Sequence, residues 1–184
     1  GMIHPNMGTM LGFLTTDALI SPENLQLALK GTVDETFNQI TVDGDTSTND
    51  MVIIMANGQS GCEELTPDHP EWSTFVALVS ATSQKLAKQI ARDGEGATKL
   101  IEVTVEGART VQEARVIAKT VVGSSLVKTA VYGTDANWGR IIAAMGRAGV
   151  PFNQNDVDIY IGDYILLKNS TPVLFSEEDL KAYL

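Results

Sequence analysis

Cysteine, histidine and basic side chains are scarce in this chain, and each scarcity excludes a class of protein. One cysteine, Cys62, excludes an internal disulfide framework and fits a reducing compartment, so we expect a cytoplasmic protein. The two histidines, His4 and His69, lie far apart without ligand spacing, and no metal site is expected. Thirteen Lys and Arg against 23 Asp and Glu give a formal net charge of −10, which disfavours nucleic acid or an anionic membrane as partner.

Long apolar runs and nucleotide-binding glycine patterns are also missing. No run approaches the roughly 18–20 apolar residues of a membrane span, and no signal peptide is visible. Neither a Rossmann nor a P-loop glycine signature is present. The 184 residues, 43% of them hydrophobic, therefore describe an ordinary globular protein with one domain or two small ones.

The apolar periodicity predicts alternating strands and helices, and hence an α/β layered sandwich. Strands are predicted at 10–14, 51–56, 100–105, 126–132, 157–161 and 164–167, and helices at 22–40, 70–92, 111–122, 138–147 and from 177 onward. The continuous apolar run 51–56 is expected to be buried on both faces. A break at Glu106-Gly107-Ala108 predicts a first part at 1–107 and a second α/β lobe at 108–184.

The pair Gly8-Thr9 stands between a polar lead-in and the apolar run 10–14. A hydroxyl directly after glycine can attack its own backbone, because glycine tolerates the strained dihedrals that the attack needs. Cleavage would leave Thr9 with a free α-amine of unperturbed pKa about 7.7–8.0, a ready general base beside its own hydroxyl. A plain turn before a core strand has the same two residues, so the dipeptide alone leaves both interpretations open.

Four segments in the same order resemble one known family. They are residues 1–18 around Gly8-Thr9, Val-Asp-Gly-Asp-Thr-Ser-Thr-Asn-Asp at 42–50, Asp-Gly-Glu-Gly-Ala-Thr-Lys at 93–99, and Tyr-Gly-Thr-Asp-Ala-Asn-Trp-Gly-Arg at 132–140. The chain resembles the ornithine acetyltransferase family, the bifunctional glutamate N-acetyltransferases of arginine biosynthesis. Its members cleave themselves before a threonine that usually follows alanine, and Gly8 is a small replacement for that alanine.

The resemblance implies a fold and a reaction. The fold would be the four-layer αββα sandwich shared with N-terminal-nucleophile aminopeptidases, with a smaller second lobe. Cleavage between Gly8 and Thr9 would free Thr9 as the nucleophile, and Thr9 and Glu95 would contact substrate. An acetyl group would pass from N-acetylornithine to glutamate through an acetyl-threonine, with no cofactor; acetyl-CoA, as a second acetyl donor, is left open.

The resemblance also implies that further chain is needed. The family's oxyanion hole is a Thr-Gly pair before the cleavage site, and other substrate-contacting residues follow later in its sequence. Neither is present here, so we expect this chain alone to be nearly inactive, since one oxyanion donor is worth about 10²–10³ in rate. The expected partners are the N-terminal (alpha) chain of the same precursor and further copies in a homo-oligomer.

The other polar motifs have a structural interpretation beside the functional one. Glu95, between Gly94 and Gly96, fits either a solvated helix-end loop or a loop that approaches a ligand closely. The acidic and hydroxyl cluster lacks the glutamate that closes a calcium loop, and we interpret it as a structural turn near the active site, with a direct substrate role as the alternative; its members are Asp43, Asp45, Thr46, Thr48, Asn49 and Asp50.

In the motif at 132–140, Asp135 is predicted to cap the helix that follows. The alternative is functional: Asn137 and Arg140 would border the active site from the second lobe.

Two other functions stay open. One is an N-terminal-nucleophile aminopeptidase, in which water accepts the acyl group, and the other is a non-catalytic α/β domain. The motifs at 42–50 and 93–99 favour the transferase.

Overall fold

The computed structural model describes residues 10–45 and 49–184. The predicted cleavage pair Gly8-Thr9, and Thr46 and Thr48 of the acidic cluster, lie outside the described residues. The chain divides between Ala97 and Thr98 into two compact units, each of which mixes helices and strands. The division precedes the break that the sequence predicted after residue 107.

In its described residues, 10–45 and 49–97, the first unit contains two strands and two long helices. They are β1 (Leu11–Thr16), α1 (Pro22–Glu35), a short 3₁₀ helix (Phe37–Gln39), β2 (Met51–Ala56) and α2 (Trp72–Arg92). β1 and β2 pair in parallel, from Leu11 opposite Met51 to Thr16 opposite Ala56. Parallel pairing needs a crossover between the strands, and the segment with α1 supplies it. The two strands therefore begin side by side, although 40 residues separate their first positions in the sequence.

The start of α1 follows the signals in its sequence. The Ser21 hydroxyl accepts a hydrogen bond from the amide of Asn24 at 3.3 Å, and Pro22 occupies the first helical turn. The helix ends at Glu35, earlier than the predicted residue 40, because Thr36 leaves helical geometry with φ −125° and ψ −85°. The 3₁₀ turn that follows buries Phe37, which is 2% exposed.

The sheet of the first unit is covered on one face only in the described residues. Val52 packs with Met10, Phe37 and Ala87 on the covered face. The opposite face carries the exposed large hydrophobic residues Leu11, Phe13, Met51 and Met55, with exposed fractions of 56%, 55%, 41% and 48%. The prediction that residues 51–56 are buried on both faces is therefore wrong for this chain.

The second unit consists of three central helices, an antiparallel sheet and a final helix. Its elements are α3 (Val111–Val122), α4 (Ser125–Tyr132), α5 (Trp138–Gly146), β3 (Ile159–Ile161), β4 (Tyr164–Lys168), β5 (Thr171–Pro172) and α6 (Glu177–Tyr183). The strands pair in the order β3-β4-β5. The predicted hairpin turns at Gly162, with φ +56°, and the predicted final helix α6 lies against it through the ring of Tyr183.

Two strand predictions in this unit are wrong. Residues 125–132 form a helix, because the Ser124 hydroxyl caps the amide of Val127 and because Val127 and Ala130, one turn apart, are buried together. Residues 100–105 pair with no strand in the part of the chain that the structure describes. Their alternating burial is real, since Val103 and Val105 pack on the core of α3, α4 and α5.

Across residues 10–45 and 49–184, no helix combines the length and the apolar character needed to cross a membrane.

Candidate active site

Met10, which directly follows the predicted nucleophile Thr9 in the sequence, is fixed at the head of β1. Its amide N–H donates a hydrogen bond to Oδ1 of Asp50, and its carbonyl accepts one from the amide of Met51 at 2.8 Å. Its side chain is 7% exposed and packs in the core with Phe37. Both backbone polar groups and the side chain of Met10 are therefore held by the first unit.

Asp50 is the half-buried residue directly before β2. Burial raises the pKa of its carboxyl group above the usual value, and the hydrogen bond from the Met10 amide acts in the opposite direction. The sequence grouped Asp50 with the acidic turn, whereas the structure gives it a separate contact with a residue 40 positions away. The parallel register of β1 and β2 brings Asp50 and Met10 together. No local sequence pattern predicts this contact.

The acidic segment before the gap in the described residues forms a turn of its own. The carboxylate of Asp43 accepts a hydrogen bond from the amide of Asp45 at 2.9 Å, and Gly44 has φ +86°. Such a side chain to backbone bond is the Asx turn that Asp commonly makes. It supports the structural interpretation for these two residues. Within the described ranges, no group of three or more His, Cys, Asp or Glu residues is placed to hold a metal ion.

Glu95 lies in the loop that follows α2, with its side chain exposed to solvent. The loop is held by its backbone, since the amide of Asp93 bonds to the carbonyl of Gln89 and the amide of Ala97 to that of Gly94, both at 2.9 Å. Gly96 has φ +70°, a conformation that favours glycine. Glu95 is thus carried on an ordered turn.

Gly94 joins this loop to the acidic segment. It is buried, and a Cβ atom added to it would lie 2.9 Å from Cγ1 of Val42. The chain then runs from Val42 through the acidic segment to Asp50, which bonds to Met10. The first unit therefore holds two separate contacts of the motif at 42–50: Val42 lies against Gly94 of the Glu95 loop, and Asp50 bonds to Met10, the residue after Thr9.

We expect a side chain at position 94 to disturb the contact between Gly94 and Val42. Gly94→Ala should lower the free energy of unfolding by about 1–3 kcal/mol, because the stiff Val42 side chain must move to admit it. Chemical denaturation of the purified chain measures the effect. Gly31→Ala is the matched control, since Gly31 lies inside α1 with open space around it. That change should raise the free energy of unfolding by about 0.5–1 kcal/mol. Equal changes in the free energy of unfolding at positions 94 and 31 would contradict the contact between Gly94 and Val42.

The motif at 132–140 lies in the second unit and has a different capping residue from the predicted one. Asn137, not Asp135, caps α5: its Oδ1 accepts a hydrogen bond from the amide of Arg140 at 3.1 Å. The Asp135 carboxylate instead accepts a hydrogen bond from the side-chain Nδ2 of Asn137 at 3.0 Å. The Arg140 guanidinium donates to the carbonyl of Leu126 and the hydroxyl of Thr129, at 3.0 and 3.1 Å. These contacts tie α5 to α4.

A cavity of about 520 Å³ opens beside this motif, within the size range of small-molecule sites. It is lined by residues 133–139 together with Phe175, Glu177 and Lys181. One lining residue, Thr134, has φ +54°, which is uncommon for a β-branched residue. The sequence did not predict this cavity, because its two walls come from segments that are far apart in the chain.

Comparison with known proteins decides the family. A model described as "ArgJ family" matches residues 1–184, the whole chain. The chain belongs to the ArgJ family. This confirms the family that the four motifs indicated.

Relatives of this ArgJ family member are closely similar along its whole length. The "Arginine biosynthesis bifunctional protein ArgJ" of Geobacillus stearothermophilus is 61% identical over 184 residues, which are 100% of this chain and 45% of the relative. The protein of the same name from Bacillus subtilis is 59% identical over the same shares. The chain therefore spans less than half the length of these curated relatives.

A crystal structure shows the same fold. It is that of the arginine biosynthesis bifunctional protein ArgJ from Bacillus halodurans, with a TM-score of 0.93 and 59% identity to this chain. The match covers 95% of this chain and 82% of the solved one. A mixed α/β architecture is therefore common to both.

Proposed function

We propose that this chain is the nucleophile-bearing part of an acetyltransferase of arginine biosynthesis, which moves an acetyl group from N-acetylornithine to glutamate. Two contacts in the first unit support the proposal: the Met10 amide, which belongs to the peptide bond after Thr9, donates to Asp50, and Gly94 of the Glu95 loop lies against Val42 of the motif at 42–50. Membership of the ArgJ family supports the choice of pathway. The reducing compartment that a lone cysteine favours makes the cytoplasm its place of action.

Maturation uses Thr9 on its own backbone. The Thr9 hydroxyl oxygen attacks the carbonyl carbon of Gly8, the bond from that carbon to the Thr9 nitrogen breaks, and the nitrogen takes the hydroxyl proton. Water then hydrolyses the resulting ester, which gives a carboxylate on Gly8 and restores the hydroxyl of Thr9. The new α-amine of Thr9 is a base placed next to the nucleophile.

Turnover uses the same hydroxyl on the substrate. Thr9 attacks the acetyl carbonyl of N-acetylornithine, its proton passes through the α-amine to the leaving nitrogen, and ornithine departs. The amine of glutamate then attacks the acetyl-threonine ester, and the hydroxyl oxygen of Thr9 regains a proton as N-acetylglutamate leaves. An exposed carboxylate such as that of Glu95 suits an incoming ammonium group or a proton in transit.

The exposed face of the sheet supports our proposal that the complete fold is a four-layer αββα sandwich. A parallel sheet is normally covered on both faces, and the apolar face that carries Phe13 and Met55 is bare in the described residues. A second sheet packed there would complete a four-layer αββα sandwich. We propose that the part of the relatives' sequence that this chain does not cover supplies that sheet and the oxyanion-hole donors.

The direct test is a transfer assay on a protein of the relatives' full length that contains this chain. N-acetylornithine and glutamate should give N-acetylglutamate and ornithine in equal amounts. Acetate in place of N-acetylglutamate would indicate the hydrolase, and no product would indicate a non-catalytic domain. A parallel reaction with acetyl-CoA in place of N-acetylornithine decides whether that donor is accepted.

We also propose that the chain assembles with copies of itself. When the chain is alone, without the segment proposed above to supply the second sheet, another copy would cover the exposed apolar face of β1 and β2, and a two-fold dimer is the commonest closed arrangement. Light scattering at micromolar concentration should give a mass above 19.7 kDa that rises with concentration. Phe13→Ser, on that face, should lower it. A constant monomer mass would contradict self-association.

A further inference from the structure

The contact between Asp50 and Met10 anchors the peptide group that carries the nucleophile. The nitrogen of Met10 is the amide nitrogen of the peptide bond that joins Thr9 to Met10, so the Asp50 carboxylate bonds to a group covalently attached to Thr9. In a regular ladder this N–H would bond to a backbone carbonyl. Here a side chain takes that position, directly before β2.

From this geometry we propose that Asp50 is a positioning residue for Thr9: by accepting the Met10 N–H at the head of β1, it holds the peptide nitrogen that directly follows the nucleophile in the sequence. The inference rests on the proposed function, since it assigns Asp50 a part in that reaction. The other contacts of Met10 agree with this role of Asp50. The Met10 carbonyl is bonded to Met51 and the Met10 side chain is buried, so Asp50 supplies the remaining constraint.

The role requires a hydrogen-bond acceptor rather than a proton carrier. Oδ1 of Asp50 faces a backbone N–H, which does not titrate in the working range of an enzyme. A carboxamide oxygen can accept the same hydrogen bond. Asp50→Asn should therefore preserve the anchor, whereas Asp50→Ala removes it and leaves the Met10 N–H without this acceptor.

The kinetic test uses a protein of the relatives' full length. Asp50→Ala should lower kcat by roughly 10–100-fold with KM changed less than about two-fold, since misplacing a nucleophile impairs the chemical step rather than binding. Asp50→Asn should stay within about three-fold of the parent in kcat. Asp34→Ala is the matched control, because Asp34 is exposed on α1 and its carboxylate accepts a hydrogen bond from the side chain of Asn38, at 2.9 Å.

A second readout does not depend on activity. Amide hydrogen exchange at Met10 should be slow in the parent and in Asp50→Asn, and markedly faster in Asp50→Ala. Where Asp50→Ala fails to fold, slow exchange at Met10 in the parent together with an active Asp50→Asn supports the proposal. Fast exchange at Met10 in the parent overturns it, whatever the variants do.

The outcomes separate this proposal from the proposed function. A parent protein without acetyl transfer would contradict the function, while the exchange measurement would still decide whether the anchor exists. An active parent in which Asp50→Ala matches Asp34→Ala would overturn the positioning role alone. An Asp50→Asn as impaired as Asp50→Ala would also overturn it, because the charge or the proton of Asp50 would then be required.

Discussion

Thr9→Ala should abolish both self-cleavage and acetyl transfer in a protein of the relatives' full length. Without the hydroxyl, no ester can form with Gly8 and no acetyl group can be held between the two substrates. The protein should run as one uncleaved chain, and transfer should fall by about 10⁴-fold or more, as when other covalent nucleophiles are removed. Intact mass and the transfer assay measure the two effects on the same sample.

Two variants bracket this result. Thr9→Ser keeps a hydroxyl and should retain cleavage and measurable transfer. Thr74→Ala is the matched control, since Thr74 is an exposed threonine of α2, and it should behave as the parent does. Cleavage between residues 8 and 9 in Thr9→Ala would contradict the assignment of the nucleophile.

Glu95→Gln should lower transfer to glutamate by roughly 10²-fold if the carboxylate relays a proton in turnover. The change should leave the fold intact, because Glu95 is exposed and its loop is held by backbone hydrogen bonds and by Gly94. If the carboxylate only anchors the ammonium group of a substrate, KM should rise with kcat little changed. Steady-state kinetics with both substrates varied distinguish the two roles.

The control for Glu95 is Glu64→Gln, which removes the charge of an exposed glutamate elsewhere in the first unit. It should leave both parameters at the parent values. Kinetic constants of Glu95→Gln equal to those of the control would exclude Glu95 from the site.

Local signals in the sequence predicted most of the helices. Where such a prediction was wrong, the structure gives a physical reason. The helices predicted to begin at 22 and 111 do begin there, because the Ser21 and Thr110 hydroxyls cap the amides of Asn24 and Glu113, only three residues away. The prediction of a strand at 126–132 was wrong because the β-branched residues there favour a strand, whereas the Ser124 cap and the burial of Val127 stabilise a helix over Ser125–Tyr132. Tertiary packing overrode propensity there.

Burial of the sheet and the contact of Asp50 could not be predicted for a different reason. An apolar run such as residues 51–56 shows that a strand is suited to burial, and not what covers it. The bond from Met10 to Asp50 depends on the register of two strands with α1 between them, which is a property of the whole unit. By contrast, Glu95 was named from its flanking glycines and the family resemblance, and its part in the reaction stays a prediction.

The acetyl-threonine intermediate is the central claim, and one measurement tests it most directly. A protein of the relatives' full length is incubated with N-acetylornithine in the absence of glutamate, quenched in acid, and analysed by mass spectrometry of its peptides. We predict one acetyl group on the hydroxyl oxygen of Thr9, which glutamate then removes as N-acetylglutamate. An active enzyme that carries no acetyl group under these conditions, or carries it on another residue, would contradict the account.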